Sequence, residues 1–435
     1  MRIQTLFSAA GILGCSLTTG AQPFYFPPNT GSTWETTDPA TLGWCTDRID
    51  SLYDFLASRN TKAFIVLKDG RIVLERYFGT FTQDSLWYWA SAGKTLTSTL
   101  VGIAQEEGFL DIENPSSAYL GTGWTSELPA DEALITVRNQ LTMTSGLDDA
   151  VPDDDCTDPS CLQYLADAGT RWAYHNAPYT LLDDVIANST GQSFPSYFNA
   201  KIRNPIGMDG FWFPSGYNNV YGSKARSMAR YGLLALNNMV WGSDTILHDT
   251  AYFNAATSPS QTINNSYGYL WWLNGQSSFM VPGVQFAFPG SLMPSAPADM
   301  YSGLGKNDQV VNVVPSRGMV VVRMGNVAYT NALVPITFNN EIWEHIDRLE
   351  CSTSITENSP KQQLSVLPNP CTDVVRITLL GRNADLTLII SDELGRTVLT
   401  GALGQPLNIA NLAHGFYTAR CCGDGTMRSV RFIKQ

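Results

Sequence analysis

Residues 87–100 read WYWASAGKTLTSTL, and they set a serine, Ser91, three positions before a lysine, Lys94. The small and apolar residues that follow predict a helix over 91–104. Positions i and i+3 share a helix face, so the hydroxyl and the amine stand side by side at its first turn. Of the eight lysines in the chain, Lys94 alone has a serine three residues upstream. A serine hydroxyl is a weak nucleophile until a base takes its proton. A free lysine, with a pKa of about 10.4, is protonated at neutral pH and cannot be that base. Desolvation and the positive end of a helix both disfavour the ammonium. A shift of about three units, roughly 4 kcal/mol, brings the amine near neutrality. The same helix end favours negative charge developing on Ser91. A four-residue pattern arises by chance, so its surroundings must carry the argument.

Those surroundings have a clear plan. Residues 46–59 place Ile49, Leu52, Phe55 and Leu56 at helical spacing. AFIVLKDGRIVLERYF (63–78) reads as two strands about an Asp69-Gly70 turn. QVVNVVPSRGMVVVRMG (309–325) reads as two more about Pro315–Gly318, and NNEIWEHIDRLEC (339–351) as a closing helix. The middle, 91–250, is patterned as helices and loops. Strands from both ends therefore flank a helical middle. The expected fold is α+β: one antiparallel sheet covered by the first and last helices, with a helical subdomain inserted. Residues 352–363 are polar and read as a linker. From 364 to 435 the texture becomes short alternating strands between turns, a small C-terminal β-sandwich.

The N-terminus joins Arg2, an apolar run over 5–17 and small residues ending at Ala21, which reads as a secretory signal peptide over 1–21. Cys15, in ILGC, also fits a lipoprotein processing site, and cleavage after Ala21 is the favoured reading. The first globular unit then spans 22–351. No other run is long and apolar enough for a transmembrane segment. The net charge of −12 argues against nucleic acid as a partner. Export permits disulfides. Cys156 and Cys161 bracket an acidic loop, and Cys45 meets Cys351 if the first and last helices pack antiparallel. Cys371, Cys421 and Cys422 are left unassigned. Neither C-x-x-C nor H-E-x-x-H is present, so no metal or other cofactor is expected. The acidic run Asp148–Asp158 lacks calcium-ligand spacing and reads as a solvated loop.

WASAGKTLTSTLVGIAQEEGFLDIENP (89–115), followed by NQLTMTSGLDD (139–149), resembles the serine β-lactamase and penicillin-binding superfamily, nearest its class C-like branch of esterases and aminohexanoate-oligomer amidases. The resemblance implies the β-lactamase/transpeptidase-like fold over about residues 44–350 and three motifs. Ser91 and Lys94 match the first. Tyr-x-Asn recurs along the chain, at Tyr174, Tyr197, Tyr217 and Tyr252 among other places; the context TRWAYHNAPYTLLDDVIANSTGQSFPSYF selects Tyr174 and Asn176, with His175 pointing elsewhere. The family assigns that tyrosine proton relay at a lowered pKa, and the asparagine orientation of the lysine and substrate. For the third motif the chain offers MYSGLGKNDQVVNVVP, so Gly303-Leu304-Gly305 with Lys306 is the match. The resemblance then makes the backbone N–H groups of Ser91 and Lys306 the oxyanion hole. The family's leading basic residue is missing here, which counts against β-lactams and D-Ala-D-Ala peptides.

The expected function is a secreted serine hydrolase acting on a small-molecule or peptide-like ester or amide through a Ser91 acyl-enzyme. A β-lactamase or D-alanyl-D-alanine carboxypeptidase is one alternative. A non-catalytic surface-binding protein on the same scaffold is another. Trp87, Trp89, Trp271 and Trp272 are candidates for pocket walls or core. His248, His345 and His414 are scattered and read as surface or core. In the tail, VLPNP, DELGRTVL, LNIANLAHGFYTAR and RFIKQ resemble a type IX secretion C-terminal sorting domain over 364–435. That implies type IX machinery as a partner and a location outside the cell or on its surface.

Overall fold

The apolar runs at the two ends of the first unit pair with one another. The computed structural model describes residues 24–329, 334–351, 364–379, 386–392, 395–423 and 426–435; the expected leader, with Cys15, and the expected linker lie outside them. β1 (Thr61–Lys68) and β2 (Arg71–Tyr77) form a hairpin whose turn residues Asp69 and Gly70 both have positive φ, 48° and 83°. This is the backbone that an Asp-Gly turn supplies. β1 pairs with Met319–Gly325, and the antiparallel sheet continues through Gln309–Val314 and Tyr301–Gly305 to Trp272–Leu273. Six strands result, with the N-terminal hairpin at one edge.

Helices cover both faces, which is why the central strands are continuously apolar instead of alternating. α1 (Ile49–Ser58) packs with the last helix, Ile336–Leu349. Asn339 of that helix exchanges two hydrogen bonds with Asn312 of the sheet, at 2.8 and 2.9 Å. Asn312 pairs with Val321, whose neighbour Val320 points to the other face. There lies helix Ala225–Leu236, and Gly232 brings it close: a Cβ at that position would stand 2.5 Å from Val320 Cγ1. The sequence predicted only the first and last helices as cover. The second cover comes from the middle segment, whose small residues let it lie flat on the sheet.

Three further departures position the site. The chain forms a 3-10 turn over Ala90–Gly93, and α2 (Lys94–Glu106) begins at the lysine instead of at residue 91. α2 is buried on every side from Lys94 to Ala104, so it is the central helix of the unit. The middle is also not purely helical: β3 (Trp87–Tyr88), β4 (Phe211–Ser215) and β5 (Asn218–Ser223) make a small sheet in the order β3-β5-β4. Pro214 and Gly216 interrupt its sequence pattern and disguise it as loop.

Cys45 is bonded to Cys351, tying the start of the unit to its end, and Cys156 to Cys161. The C-terminal unit is two facing sheets. Leu364–Leu367, Val374–Leu379 and Pro406–Asn408 form one; Thr397–Ala402, Thr387–Ser391, Gly415–Gly423 and Thr426–Lys434 form the other. Val375, Ile377, Leu388, Ile390 and Phe432 fill the space between them. Cys371 and Cys421 are both buried there; the Cys422 side chain lies outside the described residues.

Candidate active site

Ser91 sits inside the 3-10 turn that α2 continues. In a 3-10 turn, residues i and i+3 eclipse, and Lys94 Nζ donates to Ser91 Oγ at 3.3 Å. The turn is forced into shape. Ala90, the residue before Ser91, takes φ = 47°, a left-handed backbone that alanine rarely adopts. Its neighbour Trp89 holds it there: the buried indole donates to Ser223 Oγ at 2.8 Å, and the Trp89 N–H to Tyr221 O at 2.8 Å.

Lys94 is 4% exposed. Burial pulls its amine down to about 7, against the opposing pull of Asp155, Asp183 and Asp154. Its Nζ stands 3.8 Å from the ring centroid of Tyr179 and 5.4 Å from that of Tyr174. Tyr174 stacks on Trp272 at 5.8 Å. Burial pushes its phenol above the ordinary tyrosine value, with the Ser91 hydroxyl pulling the other way. The direction is opposite to the lowered tyrosine pKa implied by the family resemblance, because desolvation outweighs the hydrogen bond from Ser91. His175, next in sequence, is buried, both ring nitrogens lack hydrogen-bond partners among the described residues, and burial holds it near 4. Asn176 begins the short helix Asn176–Thr180, and its Oδ1 is buried with no hydrogen-bond partner among the described residues.

The third motif lies on the strand Tyr301–Gly305, directly against the serine turn. A Cβ on Gly305 would stand 2.4 Å from Trp89 O and 3.1 Å from Ser91 N. On Gly303 it would meet Val311 Cγ1 at 2.9 Å and Ala92 O at 3.1 Å. Glycine is needed at 305 because the strand backbone passes the serine turn with no room for a side chain. Gly305→Ala is expected to lower kcat/KM by about a hundredfold or more by displacing the Ser91 turn. Gly303→Ala, with softer contacts, should cost less. Parallel steady-state assays and melting curves on the two variants check this.

Two cavities open at Ser91. One of 410 Å³ runs past Tyr88, Tyr179, Phe213, Asn218 and Asn219. The other, of 380 Å³, runs past Tyr174, Asp149, Asp154, Pro282 and Leu304. Ser91, Asp155, Asn176 and Lys306 line both. Of the residues selected from the three motifs, Lys94 lines the first cavity, Tyr174 and Gly305 line the second, and Gly303 lies behind them against the serine turn. Trp89, Trp271 and Trp272 are core, and only Trp87 of the four candidate tryptophans is partly open. His248 pairs with Glu106 at the surface and His345 stacks on Phe55.

Several wall residues had no sequence signal of their own. Asp155 directly precedes the loop that the Cys156–Cys161 bond closes. Its segment is pinned beside the site because Ala177 N–H donates to Asp154 O at 3.1 Å. Asp155 Oδ1 is buried without a partner among the described residues. The carboxylates of Asp153, Asp154 and Asp155 come within 4.8 Å of one another. Asn219 donates to Asp183 at 2.8 Å, and burial raises that carboxyl to about 7. Asn218 and Asn219 follow Tyr217 in a Tyr-x-Asn pattern that the sequence context passed over. It supplies wall, not motif.

The sequence model of the family described as Beta-lactamase matches residues 54–340. The chain belongs to the beta-lactamase family. Its members are serine hydrolases. A second family, the secretion system C-terminal sorting domain, matches residues 365–435, which marks this beta-lactamase-family chain for type IX secretion to the cell surface or exterior. No helix among the described residues is long and apolar enough to cross a membrane. PbpX of Bacillus subtilis (strain 168), a penicillin-binding-protein candidate, is 28% identical over 158 residues, 33% of this chain and 39% of that protein. The D-alanyl-D-alanine-carboxypeptidase/endopeptidase AmpH of Escherichia coli (strain K12) is 28% identical over 190 residues, 38% of this chain and 49% of its own. The alignments thus span less than half of these curated relatives. Among solved structures, a candidate 6-aminohexanoate-dimer hydrolase from Bacillus anthracis superposes with a TM-score of 0.56 at 18% identity, covering 74% of this chain and 90% of that one. A penicillin-binding protein homolog from Caulobacter crescentus gives 0.54 at 14%, covering 70% and 98%. Both likenesses concern the fold.

Proposed function

We propose that this chain is a secreted serine hydrolase that cleaves an ester or amide through an acyl-enzyme on Ser91. The observation that carries the reading is Lys94: a buried amine held near 7, with its Nζ 3.3 Å from the Ser91 hydroxyl at the floor of an open cavity. Near neutral pH a substantial fraction of Lys94 is unprotonated, while Tyr174 keeps its proton. Ser91 Oγ attacks the substrate carbonyl carbon as its proton passes to Lys94. The oxyanion is received by the backbone N–H groups of Ser91 and Lys306. Tyr174 donates its proton to the leaving oxygen or nitrogen, the bond to the acyl carbon breaks, and Lys94 restores the tyrosine. Water then attacks the acyl carbon, giving its proton to the same pair, and Ser91 leaves with a proton from it. Asn176, with Gly303 and Gly305 opposite, seats the acyl group. The leader over 1–21 is removed on export, and unit 22–351 travels with the sorting unit 364–435 across linker 352–363.

The charge of the cavities argues for esters and amides over substrates with an obligatory carboxylate. Besides Lys94, Lys306 is the one cation lining them among the described residues, against Asp149, Asp154 and Asp155. Arg171 neutralises Asp149 at 2.6 Å, which leaves Asp154 and Asp155 to repel an anion. Purified protein given 4-nitrophenyl acetate and benzylpenicillin should turn over the ester at least about a hundredfold faster in kcat/KM, two carboxylates outweighing one lysine. The reverse order would move the assignment to the β-lactamase and carboxypeptidase reading, in which Lys306 takes the substrate carboxylate.

A further inference from the structure

The outer face of the β3-β5-β4 sheet is aromatic where such a face is ordinarily polar. Gly222 on β5 has Tyr88 of β3 as its partner on one side and Phe211 of β4 on the other. Cross-strand partners share a face, and Phe213, two residues beyond Phe211, shares it too. The opposite face carries Trp212 and Tyr221, which pack into Phe194 and Phe198 at 5.0–5.5 Å. The core is therefore satisfied by one side of the sheet, and the aromatic residues of the other side have no part in it. Phe211 is 54% exposed, and Leu86 beside it 50%. Between them lies a groove of 200 Å³, floored at Gly222, where a side chain would fill the space: its Cβ would already stand 3.1 Å from Phe213 Cε1.

The groove adjoins the catalytic cavity across a shared wall. Tyr88 and Phe213 line both it and the hollow that holds Ser91 and Lys94. Asn307 Nδ2 donates to Tyr88 Oη at 2.6 Å, which fixes that shared wall to the turn after the third motif. An exposed apolar patch of this kind marks a binding surface, and here it lies next to the cavity that holds the nucleophile.

We infer that the groove seats the apolar limb of the substrate, an unbranched acyl or alkyl chain that runs from the carbonyl at Ser91 past Tyr88 and Phe213 to Phe211 and Leu86. The inference rests on the hydrolase reading above and narrows its substrate to amphiphilic esters or amides. The polar cavity takes the carbonyl and the apolar groove takes the chain.

The test measures kcat/KM on two series, 4-nitrophenyl alkanoates and n-alkyl acetates, below their aggregation limits. In at least one series kcat/KM should rise roughly threefold per methylene, as burial of each predicts, and level off when the groove is full. Phe211→Ser, and Phe211→Ser with Leu86→Ser, replace exposed side chains and should fold. They should flatten that slope. Equal rates for short and long chains in both series would overturn the inference, as would a slope that survives the double variant. A flat slope together with self-association that Phe211→Ser abolishes, seen by sedimentation, would assign the patch to contact between copies instead. Turnover that survives Ser91→Ala, or none at all, would sink the hydrolase reading itself, whereas Ser91-dependent turnover without chain-length preference sinks only this one.

Discussion

Ser91→Ala removes turnover of any ester or amide substrate by at least about 10⁴-fold in kcat, with the fold intact. The size follows from what the hydroxyl supplies. Without it no covalent intermediate forms, and the remaining groups can only polarise a carbonyl for attack by water. Stability should change little. Ser91 is only partly buried, and its hydrogen bond with Lys94 is long, at 3.3 Å. Steady-state assays with circular dichroism on both proteins check the pair of statements. A variant that loses activity by unfolding would be seen at once. One that keeps both fold and activity would contradict the mechanism.

Lys94→Met should lower kcat by about 10³-fold, the usual range for removing a positioned general base, and should raise stability at neutral pH. Two consequences follow from an amine held near 7 in the folded protein. Activity needs the unprotonated amine, so kcat/KM of the wild type should climb with pH through about 7 and reach a plateau above it. Stability runs the same way. Below pH 7 the amine is charged in both states, and the folded protein bears the full desolvation cost. As pH rises towards the unfolded value of about 10.4, the cost fades, because the unfolded state loses its advantage in binding the proton. The gain from Lys94→Met, on the order of a few kcal/mol at pH 6, should therefore shrink by pH 10. Thermal melts at the two pH values measure it. A gain that does not depend on pH would mean that the amine is not depressed.

The sequence carried the ends of the fold better than its middle. The hairpins at Asp69-Gly70 and Pro315–Gly318 declare themselves through turn residues and β-branched runs, and the sheet they build is the scaffold of the site. The serine-lysine pair was legible because its chemistry lies within four residues. What was not legible depends on contacts between segments distant in sequence. Helix Ala225–Leu236 reveals its role only when Gly232 meets Val320. The 3-10 turn at Ser91 depends on Trp89 being clamped by Ser223 and Tyr221, more than 130 residues away. Asp155 reaches the cavity through a segment, just before the Cys156–Cys161 bond, that Asp154 pins to Ala177. The raised phenol of Tyr174 could not be read from a motif either, since burial sets it and motifs do not record burial. Gly305 was legible only as part of the third motif; that its strand passes too close to the Ser91 turn for any side chain is a contact between distant segments.

The most direct measurement is the site of covalent modification by a fluorophosphonate, located by peptide mass spectrometry in the full chain, with Ser91→Ala alongside. A single adduct on Ser91, formed faster as pH rises through about 7 and missing from the variant, is the result expected from a serine activated by Lys94. A folded wild-type protein that takes no label, or takes it on another residue, would contradict the account and leave the family scaffold serving as a binding surface.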